Sequence, residues 1–199
     1  MGRNLSFDEK EILSAITNTF RQNGYEATSI KDLEKATGLT SGSLYNSFGG
    51  KEALFDAALS HYNDFVVRHR ISLYLDKTED PLQGLKDLFH SLLKEPDGEC
   101  NGCLLTNTAV EFNNRLRHIT QDLDTGFSLL EAGFKRQIEK CSTTGQIPKH
   151  SSPHQASIRL LLLYQGILVF VRAGLRLQEV EQTLDQEIDT IIRGDFAQK

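Results

Sequence analysis

The sequence predicts an all-α fold, and three observations carry that prediction. Apolar residues recur at three- and four-residue spacing along nearly the whole chain. Ser, Thr and Asp precede the periodic runs, and Gly or Pro punctuates them. No segment alternates apolar and polar residues as a half-buried strand does. At 199 residues, 39% hydrophobic and 25% charged, the chain suits one or two domains and can bury a core without staples.

The elements follow in order. Ser6 and Glu9 form a capping box that opens a first helix. Its stripe is Ile12, Leu13, Ile16 and Phe20, and Gly24 ends it. Thr28 and Ser29 offer hydroxyl caps to a short second helix with Ile30, Leu33 and Ala36 inside, stopped at Gly38. Thr40 or Ser41 caps a third short helix running through Ser47. After Gly49 and Gly50 a long fourth helix starts near Lys51 and runs into the low seventies. Leu54, Phe55, Ala58, Leu59, Tyr62, Phe65 and Val66 are expected inside it.

Asp80-Pro81 is a cap followed by a first-turn proline, and Leu82, Leu85, Leu88, Phe89 and Leu92 line the helix behind it. The polar run 95–99 reads as a loop, and a helix begins near Gly102 or Cys103. A longer one, from about Asn114 to Cys141, carries Leu116, Leu123, Phe127, Leu130, Phe134 and Ile138. Ser152-Pro153-His154-Gln155 opens another, expected to be buried and to end at Gly174. Its uncharged stretch from Leu160 to Val171 is shorter than the roughly 20 apolar residues a membrane span needs. The last helix holds Val180, Leu184, Ile188 and Ile191.

The third helix is the unusual one. Thr40-Ser41-Gly42-Ser43-Leu44-Tyr45-Asn46-Ser47 is small and polar apart from Leu44, with Leu39 and Phe48 as apolar flanks. Such a helix is either simply solvated or presents hydroxyls and amides to phosphates and base edges. Three short helices with tight glycine turns before a long fourth suggest a helix-turn-helix. The formal net charge of −5 argues against a protein that coats polyanions indiscriminately. Residues 1–51 hold six basic and six acidic residues, however, so the acidity belongs wholly to the rest of the chain.

The run Gly24-Tyr25-Glu26-Ala27-Thr28-Ser29-Ile30, followed by Ala36-Thr37-Gly38-Leu39-Thr40-Ser41-Gly42-Ser43-Leu44-Tyr45-Asn46-Ser47-Phe48-Gly49-Gly50-Lys51-Glu52, closely resembles the DNA-binding domain of TetR-family transcriptional regulators. The resemblance implies a three-helix helix-turn-helix domain over residues 1–51. A long fourth helix would join it to an α-helical effector-binding and dimerisation domain over 52–199. It implies a double-stranded, palindromic operator, a homodimer and a small-molecule effector. The most direct functional reading is a repressor released by that effector or by thiol modification.

Carried over residue by residue, the resemblance gives Tyr45 and Lys51 phosphate contacts. Thr28 and Ser29 act as caps that also reach phosphate, and Thr40, Ser41, Gly42, Ser43 and Asn46 face the groove. Arg3 is a short, weakly basic arm. The segment from Cys100 to Glu111, with Gly102-Cys103-Leu104-Leu105, is similar to the N-ethylmaleimide-responsive branch of the family. Cys103 at a helix start reads either as a sensing thiol, with Cys100 as its resolving partner, or as packing. Asn107, Phe127, Phe134, Tyr164 and Arg172 complete the effector candidates.

No cofactor and no metal are expected, because a single Cys-x-x-Cys lacks the second ligand pair of a closed zinc site. An odd, small number of cysteines and an N-terminus without an apolar h-region point to reduced thiols in a cytoplasm rather than a disulfide framework. Two competitors stay open: a thiol-dependent oxidoreductase using Cys100 and Cys103, and a ligand-binding module that does not touch DNA.

Overall fold

The computed structural model describes residues 8–94, 101–112, 117–148 and 152–194. Among these, every regular element is helical: α1 (Glu9–Asn23), α2 (Ile30–Thr37), α3 (Ser41–Phe48), α4 (Lys51–Tyr62), α5 (Arg68–Ile71), α6 (Pro81–His90), α7 (Leu104–Phe112), α8 (Arg117–Thr143), α9 (Pro153–Ala173) and α10 (Leu177–Arg193). Two compact units separate, one drawn from residues 1–65 and 103–123, the other from 66–102 and 124–199. Ser6, Arg3, the 95–99 loop, Cys100 and Leu116 lie outside the described residues.

In the first unit, α1 to α4 pack around Ile16, Phe20, Leu33, Leu44, Leu54, Phe55 and Leu59, all buried. Asp8 is the N-cap of α1, its carboxylate accepting the Lys10 N–H. That places the cap two residues after the expected Ser6, where the helix actually starts. Ser29 caps α2 in a reciprocal box with Asp32. Gly38, at φ 70°, ends α2 in the left-handed region that lets the chain turn sharply into α3. Ala36 is exposed, contrary to the sequence expectation. A two-turn helix offers the core only one full position, and Leu33 takes it.

The expected long fourth helix is one helical run with two π turns. After α4 come a π segment at Asn63–Val67, then α5, then a second π segment at Ser72–Asp76. The backbone stays right-handed helical at both Asn63 and Ser72. The buried residues of this stretch are Asn63, Val67, Ile71 and Leu75, spaced every fourth residue. An α-helix would rotate such a series off its face by about 40° per step. The wider π turns cancel that drift. They also explain a correction: Phe65, expected inside, is 47% exposed, because the π turn shifts the phase of the apolar stripe.

The second unit builds its core from Leu85, Leu88, Phe89, Phe134, Ile138, Leu160, Tyr164 and Ile188. Gly84 brings α6 close to the second π segment; a Cβ there would sit 2.3 Å from the Tyr74 carbonyl oxygen. α9 is only half a buried helix. Leu160, Tyr164, Ile167, Leu168 and Val171 face the core, while Ile158, Leu162, Val169 and Phe170 are exposed. At 21 residues, α9 as a whole is long and apolar enough to cross a membrane by length and composition, though the uncharged stretch alone is not. Its packing against α6, α8 and α10 residues is that of a core helix with one uncovered apolar side.

Candidate nucleic-acid interface

Among the residues of α3, Leu44 alone is buried, and one side of the helix is open. Leu44 has no exposed surface, and Leu39 beside the helix is buried. Burying a leucine is worth roughly 1.5–3 kcal/mol, enough to seat so short a helix. Its start is doubly held. The Thr40 hydroxyl accepts the Ser43 N–H at 3.3 Å, and the Glu34 carboxylate of α2 accepts the Ser41 N–H. Gly42, Tyr45, Asn46 and Ser47 are exposed on the free side, Tyr45 by 48%. Ser41 and Ser43 are half-buried, and the Ser43 hydroxyl pairs with that of Thr40 at 3.1 Å.

The turn between α1 and α2 belongs to the same compact unit as α3. Thr28 is 1% exposed, and its hydroxyl donates to the Gly24 carbonyl at 2.6 Å, closing the turn. Ser29, by contrast, is exposed. Asp32 accepts from the Ser29 N–H at 2.8 Å and from its hydroxyl at 2.6 Å; these bonds hold the Asp32 carboxyl below its usual range. Lys51 opens α4 with its ammonium 4.4 Å from the Tyr25 ring centroid and 3.4 Å from the Glu26 carbonyl oxygen. The structure thus brings Ser29, α3 and Lys51 into one unit and gives the lysine a fixed perch.

The effector candidates fall into two groups. Phe134 and Tyr164 cluster with Phe89 in the second unit in tilted and edge-to-face contacts, with centroids 5.6 to 5.9 Å apart. Phe127 is half-buried, and the exposed Arg172 donates to the Asn101 carbonyl at 3.2 Å. Cys103 and Asn107 belong to the first unit instead. The Cys103 carbonyl accepts the Asn107 N–H, which makes Cys103 the N-cap residue of α7, and it is 5% exposed. Asn107 donates its amide to the Arg21 carbonyl at 3.1 Å. Cys141 is fully buried, and burial, helped by the Asp80 carboxylate, pushes its thiol up to about 11. At neutral pH that thiol is inert.

Sequence reasoning passed over two acidic residues, Glu34 and Glu111. Glu111 accepts the Tyr25 N–H at 2.9 Å and the Glu26 N–H at 2.7 Å. Its position four residues after Asn107 puts both on one side of α7, but nothing in the sequence marks its backbone partners.

A buried-leucine anchor, a left-handed glycine turn and an exposed polar third helix define a helix-turn-helix DNA-binding protein. Comparison with known proteins makes the assignment specific. Residues 12–58 match the family described as bacterial regulatory proteins, tetR family, and residues 80–191 match the Tetracyclin repressor-like C-terminal domain. The chain belongs to the TetR family of transcriptional regulators.

Among its relatives is the HTH-type transcriptional repressor ComR of Escherichia coli (strain K12). It is 28% identical over 184 residues, covering 91% of this chain and 87% of that protein. The repressor DhaR of Mycobacterium sp. (strain GP1) is 25% identical over 178 residues, 89% of this chain and 87% of the relative. The fold matches a cysteine mutant of the TetR family regulator CifR, solved with 26-bp operator DNA. That match has a TM-score of 0.81 at 21% identity and covers 94% of this chain and 98% of the other. The reduced form of E. coli NemR matches at a TM-score of 0.79 and 18% identity, covering 89% and 93%. These relatives are regulators of transcription rather than enzymes, and the oxidoreductase alternative finds no support among them.

Proposed function

We propose that this protein is a homodimeric, cytoplasmic repressor that holds a palindromic operator and leaves it when a small effector binds. The observation that carries the reading is the exposed polar side of α3, where Thr40, Gly42, Tyr45 and Asn46 face out while Leu44 is buried. Gly42 and Asn46 lie toward base edges, and Asn46 pairs with adenine. Tyr45, Ser29 and Lys51 hold phosphates, while Thr28 shapes the turn that presents Ser29. The first 51 residues act as the reading head, and residues 52–199 bind effector and dimerise.

Dimerisation uses the uncovered side of α9. Leu162, Gly166 and Phe170 line a groove with Val180, Thr183 and Glu187 of α10, and its volume is about 270 Å³. A Cβ at Gly166 would meet nothing within 4 Å, so that glycine leaves space for a partner helix. Effector binding is assigned to the second unit, around Phe134 and Tyr164, with Phe127 and Arg172 at its edge.

Genome-wide mapping of bound sites tests the reading. Discrete peaks sharing a palindrome are expected, and the genes beside them narrow the effector. A diffuse profile without a shared motif would overturn it.

A second release route, modification of Cys103, is favoured by its place at the positive end of α7. Since Cys103 is nearly buried, reagents reach it only through local opening. Cys103→Ser is expected to abolish release by electrophiles or oxidants. Equal responses of variant and wild type would make Cys103 a packing residue.

A further inference from the structure

We propose that Glu111 is a positioning residue for DNA binding, which sets the phosphate-facing Lys51 by clamping the two residues on which that lysine rests. The proposal depends on the reading of Lys51 as a phosphate contact.

The geometry lies within the first unit. Both carboxylate oxygens of Glu111 are used: Oε2 accepts the Tyr25 N–H at 2.9 Å, and Oε1 accepts the Glu26 N–H at 2.7 Å. One helical turn earlier, Asn107 donates to the Arg21 carbonyl at 3.1 Å, so α7 grips the end of α1 as well as the turn after it. From the other side, Lys51 holds the same two residues. Its ammonium covers the Tyr25 ring at 4.4 Å and points to the Glu26 carbonyl at 3.4 Å. A carboxylate on the two N–H groups and an ammonium on the Tyr25 ring and the Glu26 carbonyl thus hold the same two residues through charged partners.

The packing fits a built contact. Gly24, at φ 80°, precedes the clamped residues, and a Cβ there would lie 2.8 Å from Glu111 Oε2. Only glycine accepts both that backbone and that approach. The Tyr25 ring forms a three-ring cluster with Phe55 at 5.0 Å and Phe112 at 5.1 Å, and Phe112 is the neighbour of Glu111 on α7. Without Glu111, two N–H groups lose a charged acceptor and the perch of Lys51 loosens. The lysine head then samples positions off its phosphate, although no DNA-contacting residue has changed.

The test uses the full-length protein and a duplex enriched from random sequence by the wild type. Glu111→Gln keeps the shape but offers one acceptor oxygen to two N–H groups, and Glu111→Ala removes both. Amide exchange at Tyr25 and Glu26 is expected to rise at least about tenfold in Glu111→Ala and less in Glu111→Gln. Affinity for the duplex is expected to fall about tenfold in Glu111→Ala, with the salt dependence flattened as in Lys51→Ala. The variant carrying both Glu111→Ala and Lys51→Ala is expected to bind no worse than Lys51→Ala alone, because both changes remove one contact. Unchanged exchange at Tyr25 and Glu26, or additive losses in the double variant, would overturn the assignment. Enrichment of no duplex at all would overturn the DNA-binding reading itself, and the exchange measurement would still decide the clamp.

Discussion

Gly42 shows how much a single residue of α3 discloses. A Cβ built there meets nothing nearer than the Thr40 hydroxyl at 3.9 Å, so the fold itself does not need a glycine. An added methyl group would improve helix propensity by up to about 1 kcal/mol in an interior position. Gly42→Ala is therefore expected to leave the melting temperature unchanged or raised while weakening operator binding, since the methyl lies where the groove approaches. Calorimetry and a binding titration on the same variant check both halves; intact affinity would remove Gly42 from the interface.

Lys51→Ala is expected to lower affinity about evenly across sequences and to reduce the salt slope by roughly one unit. A changed base preference would mean that Lys51 reads sequence rather than backbone. Tyr45 and Lys51 were legible as contact candidates in the sequence because they sit in one dense local motif. Glu111 was not, because its partners are backbone N–H groups 86 and 85 positions away. No side-chain pattern records such a contact.

Among the elements, periodicity located nearly every helix, and cap chemistry placed α2, α3, α6 and α9 to within a residue of their starts. What it missed was phase. The two π turns keep Asn63, Val67, Ile71 and Leu75 on one side, a four-residue spacing that a 3.6-residue template misreads. The same stretch depends on close approach by α6. Gly84→Ala would press a methyl group onto the Tyr74 carbonyl at 2.3 Å and the Thr78 side chain at 2.6 Å. The expected cost is about 1–3 kcal/mol in chemical denaturation, the usual penalty for overpacking. Wild-type stability would show that the second π segment yields easily. α7 departs from expectation in the neighbours it packs against. The sequence grouped it with the effector-binding part, yet it packs with α1 and α4 in the first compact unit. Which neighbour a short amphipathic helix chooses is tertiary information.

For the whole molecule, charge and symmetry decide the mode of binding. Residues 1–51 are neutral overall, and the remaining chain carries the net −5. Non-specific attraction to DNA is then weak, so discrimination rests on α3 contacts and on two reading heads acting together. The apolar side of α9, with Leu162 at 67% exposure, is what joins them in this account. Leu162→Glu would place a carboxylate on both sides of an isologous interface. It is expected to give a monomer in sedimentation, with the linked second half-site lost and affinity down by about a hundredfold or more. A dimer that persists would move the interface elsewhere. The homodimer is implied by the family resemblance; the uncovered apolar side of α9 was not legible, since the sequence led us to expect that helix to be buried. The clustering of Phe134 and Tyr164 with Phe89 was not legible either, because it appears only once α6, α8 and α9 are packed.

The central claim is that two copies of α3 read one palindrome. Selection from a random duplex library by the full-length protein tests it most directly. The account predicts enrichment of inverted half-sites whose centres lie about one helical turn apart, roughly 34–36 Å, or a multiple of that distance. Enrichment of a single unrepeated half-site, or of no sequence at all, would contradict it.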